Sequence, residues 1–378
     1  VRGDLTSRAN DTFTVNGLIY QKIDEKSVAV VGHKNTVTIV PANDHYTIPA
    51  KVSHNKKSYA VTSIGEYAFS STDRLKKITL PNSIISIGRS AFDSCTNLQE
   101  INLPDSLTSI GYFAFSSCKS LQEINIPDSV TLINSLAFAY SGLKSVSIPN
   151  SITSINTRTF YRCKNLEKIS LPSVTSISRG ALGYCENLKE VKLSNSLTSI
   201  GKGAFENCKS LQEIDLPDSL TFIDSLAFRN SGLRSISIPN SITSINQWTF
   251  QNCKELKKVH LPDSLTSIGY RAFENCKNLQ EINLPDSLTS IGCCAFIYCE
   301  NLQEINLPDS ITLIKSSAFA YSGLKSVYIP NSVTSIGKQA FMSCNDLCYF
   351  VAPERLKADI SSLSILEGCD NVQVNYYV

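Results

Sequence analysis

Between about residue 61 and residue 350 the apolar positions follow one pattern that returns every 22 or 23 residues. A single unit, residues 98–118, reads LQEINLPDSLTSIGYFAFSSC. Ile101 and Leu103 alternate with Glu100 and Asn102, which is the period of a half-buried strand with its polar residues facing out. Pro104 cannot donate to a ladder and Asp105-Ser106 is turn chemistry, so the strand ends there. Leu107 to Ile110 predicts a second extended piece. Gly111 becomes Asn134, Asn156, Asp224 or Asn246 in sister units, residues that tolerate positive φ, although Ser178 and Lys315 also stand there. That position predicts a corner. The closing Ala-Phe-x-x-Cys is too short for an α-helix and predicts a 3-10 or single helical turn. Each coil is therefore expected to hold two short strands and one turn of helix.

Thirteen copies follow one another, marked by Ala-Phe pairs from Ala68-Phe69 to Ala340-Phe341, with Thr159-Phe160, Ala181-Leu182 and Thr249-Phe250 at equivalent places. Such a unit cannot bury its apolar side alone and must stack on its neighbours, so the period predicts a solenoid. A length of 378 residues would otherwise suggest two or three domains. The expected organisation is a flexible terminus over residues 1–10, an N-terminal β cap over 11–60, the repeat array over 61–350 and a C-terminal cap over 351–378. The first cap is read from the runs Thr12–Val15, Leu18–Tyr20 and Val28–Val31, separated by Asn16-Gly17 and Asp24-Glu25. The second breaks the period, with a helical turn expected near Pro353 to Lys357 and a terminal strand ending at Tyr377.

Charge changes this picture little. There are 35 basic and 33 acidic side chains, a net +2, which argues against a nucleic-acid binder that works by counterion release. No run approaches the roughly 18 apolar residues of a transmembrane helix. No nucleophile elbow, phosphate loop, metal spacing or convergent carboxylate pair stands out, so no enzymatic activity and no cofactor are expected. His33, His45 and His54 fall in the expected N-terminal cap and His260 stands alone on the strand face; all read as surface polar residues.

The pattern L-x-x-I-x-L-P-x-S-(L/V/I)-T-x-I-G-x-x-A-F-x-x-C resembles the BspA-like leucine-rich repeats, and the match spans nearly the whole array. The resemblance implies a leucine-rich-repeat solenoid of the α/β type, with short parallel strands lining one face. It implies a cell-surface or secreted protein, as in bacterial BspA-like proteins of the Bacteroides type, acting in adhesion or recognition toward a host matrix protein, a glycan or another cell. It brings no catalytic residues. Ser141, Ser231 and Ser322 depart from it at the Cys position, Leu182 at the Phe and Ser194 at the Pro.

Nine of the 13 cysteines, Cys95, Cys118, Cys163, Cys185, Cys208, Cys253, Cys276, Cys299 and Cys344, share one repeat position. Coils stacked about 4.7–4.9 Å apart keep their β-carbons farther apart than the roughly 3.5–4.5 Å of a disulfide. A ladder of free buried thiols is expected. Of the four others, Cys293, Cys294, Cys348 and Cys369, the last two could be bridged to staple the C-terminal cap.

The first outward strand position runs Lys77, Glu100, Glu123, Ser145, then Lys168, Glu190, Glu213, Ser235, then Lys258, Glu281, Glu304, Ser326. The order Lys, Glu, Glu, Ser appears three times. Duplication of a four-unit block of 90 or 91 residues explains it, and so does a banded binding surface; both can hold. The second outward position is mostly small and polar and includes Asn102, Asn125, Lys192, Asp215, His260, Asn283, Asn306 and Tyr328. With Tyr349, these residues form the candidate binding face, where short side chains leave room for a protein or glycan ligand. A solvated face on a structural spacer or assembly scaffold is the alternative.

Three weaker signals remain. Arg2-Gly3-Asp4 is similar to an integrin-binding tripeptide. Phe113, Leu136, Leu226 and Trp248, two places before the repeat Phe, are either outer-face patches or packing between turns. Asp105, Asp128, Asp263, Asp286 and Asp309 invite a calcium reading, but Asn82, Asn150, Asn240 and Asn331 at the same place fit turn stabilisation equally well. The chain does not begin with Met, so a signal peptide or a lipid-bearing Cys ahead of Val1 is an expectation.

Overall fold

The structure, a computed structural model, describes residues 12–31 and 44–378. Two compact units divide the chain, Val1–Ser173 and Val174–Val378.

In the first unit, strands Thr12–Val15, Leu18–Lys22 and Ser27–Val31 form an antiparallel meander. Asn16 and Gly17 make its tight turn at φ 50° and 79°, the left-handed pair that a two-residue hairpin requires. Ser27–Val31 then pairs in parallel with Lys57–Ile64, and parallel two-residue strands Ser86–Ile87, Ser109–Ile110 and Leu132–Ile133 continue the sheet coil by coil. A second parallel sheet joins His45–Thr47, Lys77–Thr79 and Glu100–Asn102, and Ser145–Ser147 pairs with Lys168–Ser170.

The second unit repeats the plan. Its short inner strands include Ser176–Ile177, Ser199–Ile200 and Phe222–Ile223, then Ser244–Ile245 through Ser335–Ile336. Its outer face carries Glu190–Lys192, the triplet Ser235–Ser237, Lys258–His260 and Glu281–Ile282, and the triplet Ser326–Tyr328, Tyr349–Pro353 and Gln373–Tyr377. A 3-10 turn, Glu354–Leu356, and a helix, Lys357–Ser362, lie between the last two strands.

The core of each unit is a column. Phe69, Phe92, Phe115, Phe138 and Phe160 stack in near-parallel planes with centroids 5.3–5.4 Å apart. Phe205 to Phe341 do the same in the second unit at 5.1–5.6 Å. Identical rings at the coil spacing stack face to face with an offset, so the repeat Phe adds aromatic contact to the area it buries. Beside the column, each ladder thiol is buried and most donate to the carbonyl of the preceding coil's Phe, as Cys118 Sγ does to Phe92 O at 3.2 Å.

Three expectations need correction. The Ala-Phe-x-x-Cys piece is not helical. Ala114, Ser116 and Cys118 N–H do bond three residues back, as in a 3-10 turn. The intervening Phe115 and Ser117 N–H go instead to Ala137 and Ala139 of the next coil at 2.7 and 2.8 Å. Phe113 and Ser117 sit at φ 56° and 58°, which breaks any helix and turns alternate peptides toward the neighbouring coil. The segment is thus a string of tight turns laddered to the next coil.

Positive φ therefore falls two places after the expected corner. Gly111 itself is not left-handed; it is small because a β-carbon there would lie 2.6 Å from the Gly88 carbonyl carbon. Where Asn replaces it, the side chain is used, as in Asn246 Nδ2 donating to Ile223 O at 2.6 Å.

The third correction concerns the outer strands. Glu123, Glu213 and Glu304 open the third unit of each four-unit block, and none of the three segments is a strand.

Candidate functional site

The outer face is built from residues that cannot turn inward. Ile78, Val146, Ile169, Ile236, Val259 and Val327 point into the core, and strand alternation sends their flanking residues out. Lys77, Glu100 and Asn102 lie on strands, as do Lys168, Glu190, Lys192, Lys258, His260, Glu281, Tyr328 and Tyr349, and Asn283 follows Glu281–Ile282 directly. Glu123, Asn125, Glu213, Asp215, Glu304 and Asn306 share the face and are exposed, but they stand on the three non-strand segments.

The charge order resolves into pairs and leftovers. Lys77 Nζ meets Glu100 Oε1 at 2.6 Å, and Lys258 Nζ meets Glu281 Oε2 at 2.7 Å, each across neighbouring strands. Lys258 also holds the Glu281 carboxyl below its usual range through this hydrogen bond. Glu123, Glu213 and Glu304 have no ion pair among the described residues. The first Glu of each order stands next to the Lys and the second stands alone.

The third unit also differs at its end. It closes with Ser141-Gly142, Ser231-Gly232 or Ser322-Gly323, one residue shorter than the usual Cys-x-x. Regular coils bond at an offset of 23, as Gln99 N–H does to Lys76 O and Gln280 N–H to Lys257 O. Three places before Glu123, Glu213 and Glu304, in the preceding turn, bonds run from Ser120 to Thr96, Ser210 to Glu186 and Asn301 to Lys277. On leaving the third unit the offset is 22, from Lys144 to Gln122, Arg234 to Gln212 and Lys325 to Gln303. Unequal offsets do not by themselves break a ladder, since Leu313–Ile314 in the same short unit pairs at 23 with Ser290–Ile291 and at 22 with Ser335–Ile336. Residues 123–126, 213–216 and 304–307 nevertheless make no backbone hydrogen bond among the described residues.

Several concavities mark the surface of the second unit. In the second unit a cleft of about 460 Å³ separates Val191–Leu193 from Asp215–Asp218, and one of about 210 Å³ separates Glu213–Leu216 from Ser235–Ser237. The shortened closings open two more. One of about 600 Å³ is lined by Asn207, Asn230, Asn252 and Asn275, the other of about 340 Å³ by Tyr298, Tyr321, Glu300 and Asp346. These four clefts were not anticipated from the sequence.

At the far end of the face, Tyr328 and Tyr349 are 54% and 55% exposed, and Tyr328 stacks on Tyr377 at 5.3 Å. Phe113, Leu136, Leu226 and Trp248 are half-buried left-handed turn residues, and Trp248 packs edge-on against Tyr270 at 5.4 Å. All thirteen thiols are free, Cys348 exposed and Cys369 buried. No group of three or more His, Cys, Asp or Glu side chains converges among the described residues. Among them, no helix is long and apolar enough to cross a membrane. Arg2-Gly3-Asp4 and His33 lie outside the described residues.

The repeat geometry matches the BspA type leucine rich repeat region in overlapping stretches, 62–189, 131–256, 175–287, 221–348 and 268–372. The chain belongs to this family. Among solved BspA-type and related folds it is similar to a leucine-rich repeat protein from Bacteroides ovatus, with 26% identity over 96% of this chain and 99% of that one, TM-score 0.64. It is also similar to a leucine rich cell surface protein from Faecalibacterium prausnitzii, with 25% identity over 97% and 94% of the two chains, TM-score 0.58. The pneumococcal vaccine antigen PcpA shares the fold at 22% identity over 97% and 99%, TM-score 0.59. No curated protein matches the chain.

Proposed function

We propose that this BspA-type protein is a non-enzymatic binding protein, secreted or displayed on a bacterial surface, that recognises a protein or glycan through the outer strand face. The observation that carries this reading is the face itself: coil after coil presents short polar residues outward, punctuated by charge and ending in exposed Tyr328 and Tyr349. A face of short side chains admits a ligand close to the backbone, and exposed tyrosines offer apolar area with a polar tip. The F. prausnitzii relative, described as a cell surface protein, supports the location.

The test is a panel of extracellular-matrix proteins and glycans offered to the full chain and to a variant with Ser147→Arg, Ser237→Arg, Tyr328→Ala and Tyr349→Ala. Binding to the full chain that the variant loses at least tenfold supports the reading. Binding that the variant retains, or none by either protein, favours a spacer or scaffold.

A further inference from the structure

Three third-unit segments, one in the first compact unit and two in the second, interrupt the polar strand face. Each leaves four consecutive backbone N–H and C=O groups without a protein partner, at residues 123–126, 213–216 and 304–307. Open strand groups are bound most readily by another extended chain, which brings alternating donors and acceptors of its own. Each segment also begins with an exposed glutamate that has no ion pair, Glu123, Glu213 or Glu304. The clefts beside Glu213–Leu216 give a ligand side chain room to reach the open carbonyls.

We infer that these gaps are receptors for an extended polypeptide bearing Lys or Arg, one basic side chain entering each gap. The inference rests on the strand-face reading above and names its ligand class. The basic group meets the open carbonyl oxygens with its N–H donors and the glutamate with its charge, a charge-assisted bond stronger than a neutral one, while carbonyl oxygens of the ligand's own backbone accept from the open N–H groups. Glu100 and Glu281 differ in that Lys77 and Lys258 already hold their charges.

Within the second unit the two gaps are four coils apart. At about 4.8 Å per coil this is roughly 19 Å, the span of about six extended residues. A ligand laid along the face therefore carries basic residues about six positions apart, and engaging both gaps raises its affinity by effective concentration.

The experiment uses the full chain and synthetic Gly/Ser peptides with two arginines six positions apart, two arginines three positions apart, or two glutamates six positions apart, measured by calorimetry at low salt. The six-spaced arginine peptide is expected to bind at least tenfold more tightly than the other two. Glu213→Lys with Glu304→Lys is expected to reduce that binding at least tenfold with an unchanged circular dichroism spectrum. Equal affinity for the arginine and glutamate peptides, or indifference to the Lys substitutions, overturns the inference. A partner from the panel that is lost with Tyr328→Ala and Tyr349→Ala but kept with Glu213→Lys and Glu304→Lys overturns the gap as receptor while leaving the strand-face reading standing.

Discussion

Gly142 packs so closely on the preceding coil that a β-carbon there would lie 2.0 Å from the carbonyl oxygen of Lys119. The same contact recurs between Gly232 and Lys209 and between Gly323 and Glu300, again at 2.0 Å. None of the three glycines has positive φ, so the requirement is for space. These glycines let the third unit close one residue early.

Gly232→Ala forces backbone apart and is expected to destabilise by about 1–3 kcal/mol, toward the upper end because the clash is with main chain. Urea unfolding checks this, with Ser241→Ala at the Pro-Asn-Ser turn as a milder control at about 1 kcal/mol for one lost hydrogen bond. An alanine tolerated at Gly232 without loss contradicts the geometry.

The buried thiols make stability fall in alkali. Burial pushes Cys95 and Cys163 up to about 12 and Cys253 and Cys344 up to about 11. The unfolded thiol titrates near 8.5, so between that pH and about 11 the folded state holds protons that the unfolded state has released. The thiol contribution is intact below about pH 8 and declines as pH rises, by roughly 1 kcal/mol per buried thiol at pH 9.5. A urea midpoint that drops between pH 7.5 and 9.5 is expected, and Cys163→Ser and Cys253→Ser together should lessen the drop. A flat profile contradicts burial of the ladder.

The phenylalanine column distinguishes lost area from lost shape. Phe115→Ala is expected to cost about 3–5 kcal/mol. Phe115→Leu should cost about 1.5 kcal/mol or less, since Leu182 already fills the equivalent fully buried place. Thermal unfolding of both variants separates these values. A leucine as damaging as the alanine would show that ring stacking outweighs burial.

How far the sequence revealed all this depends on which interaction decides each position. Ile101, Leu103 and Phe115 are set by burial, which periodicity reports directly, so the solenoid and its inward residues were legible. The Ala-Phe-x-x-Cys piece was not, because Ala114 and Phe115 send their N–H groups in different directions and only the neighbouring coil determines which. Gly111 suggested positive φ, yet its constraint is the approach of Gly88, a contact between residues a whole coil apart. The strand face was legible as Lys, Glu, Glu, Ser; that the second Glu stands on an unpaired segment was not, because Glu123-Ile124-Asn125 repeats the residues of Glu100-Ile101-Asn102, which does form a strand. The missing residue at Ser141-Gly142 was visible throughout.

Amide hydrogen exchange on the free full chain tests the central claim most directly. Residues 123–126, 213–216 and 304–307 are expected to exchange at nearly unprotected rates, while Val146, Ile236 and Val327 in the neighbouring strands stay protected by orders of magnitude. Equal protection across all coils of the outer face would show that the face is a continuous ladder without gaps, and would contradict the account.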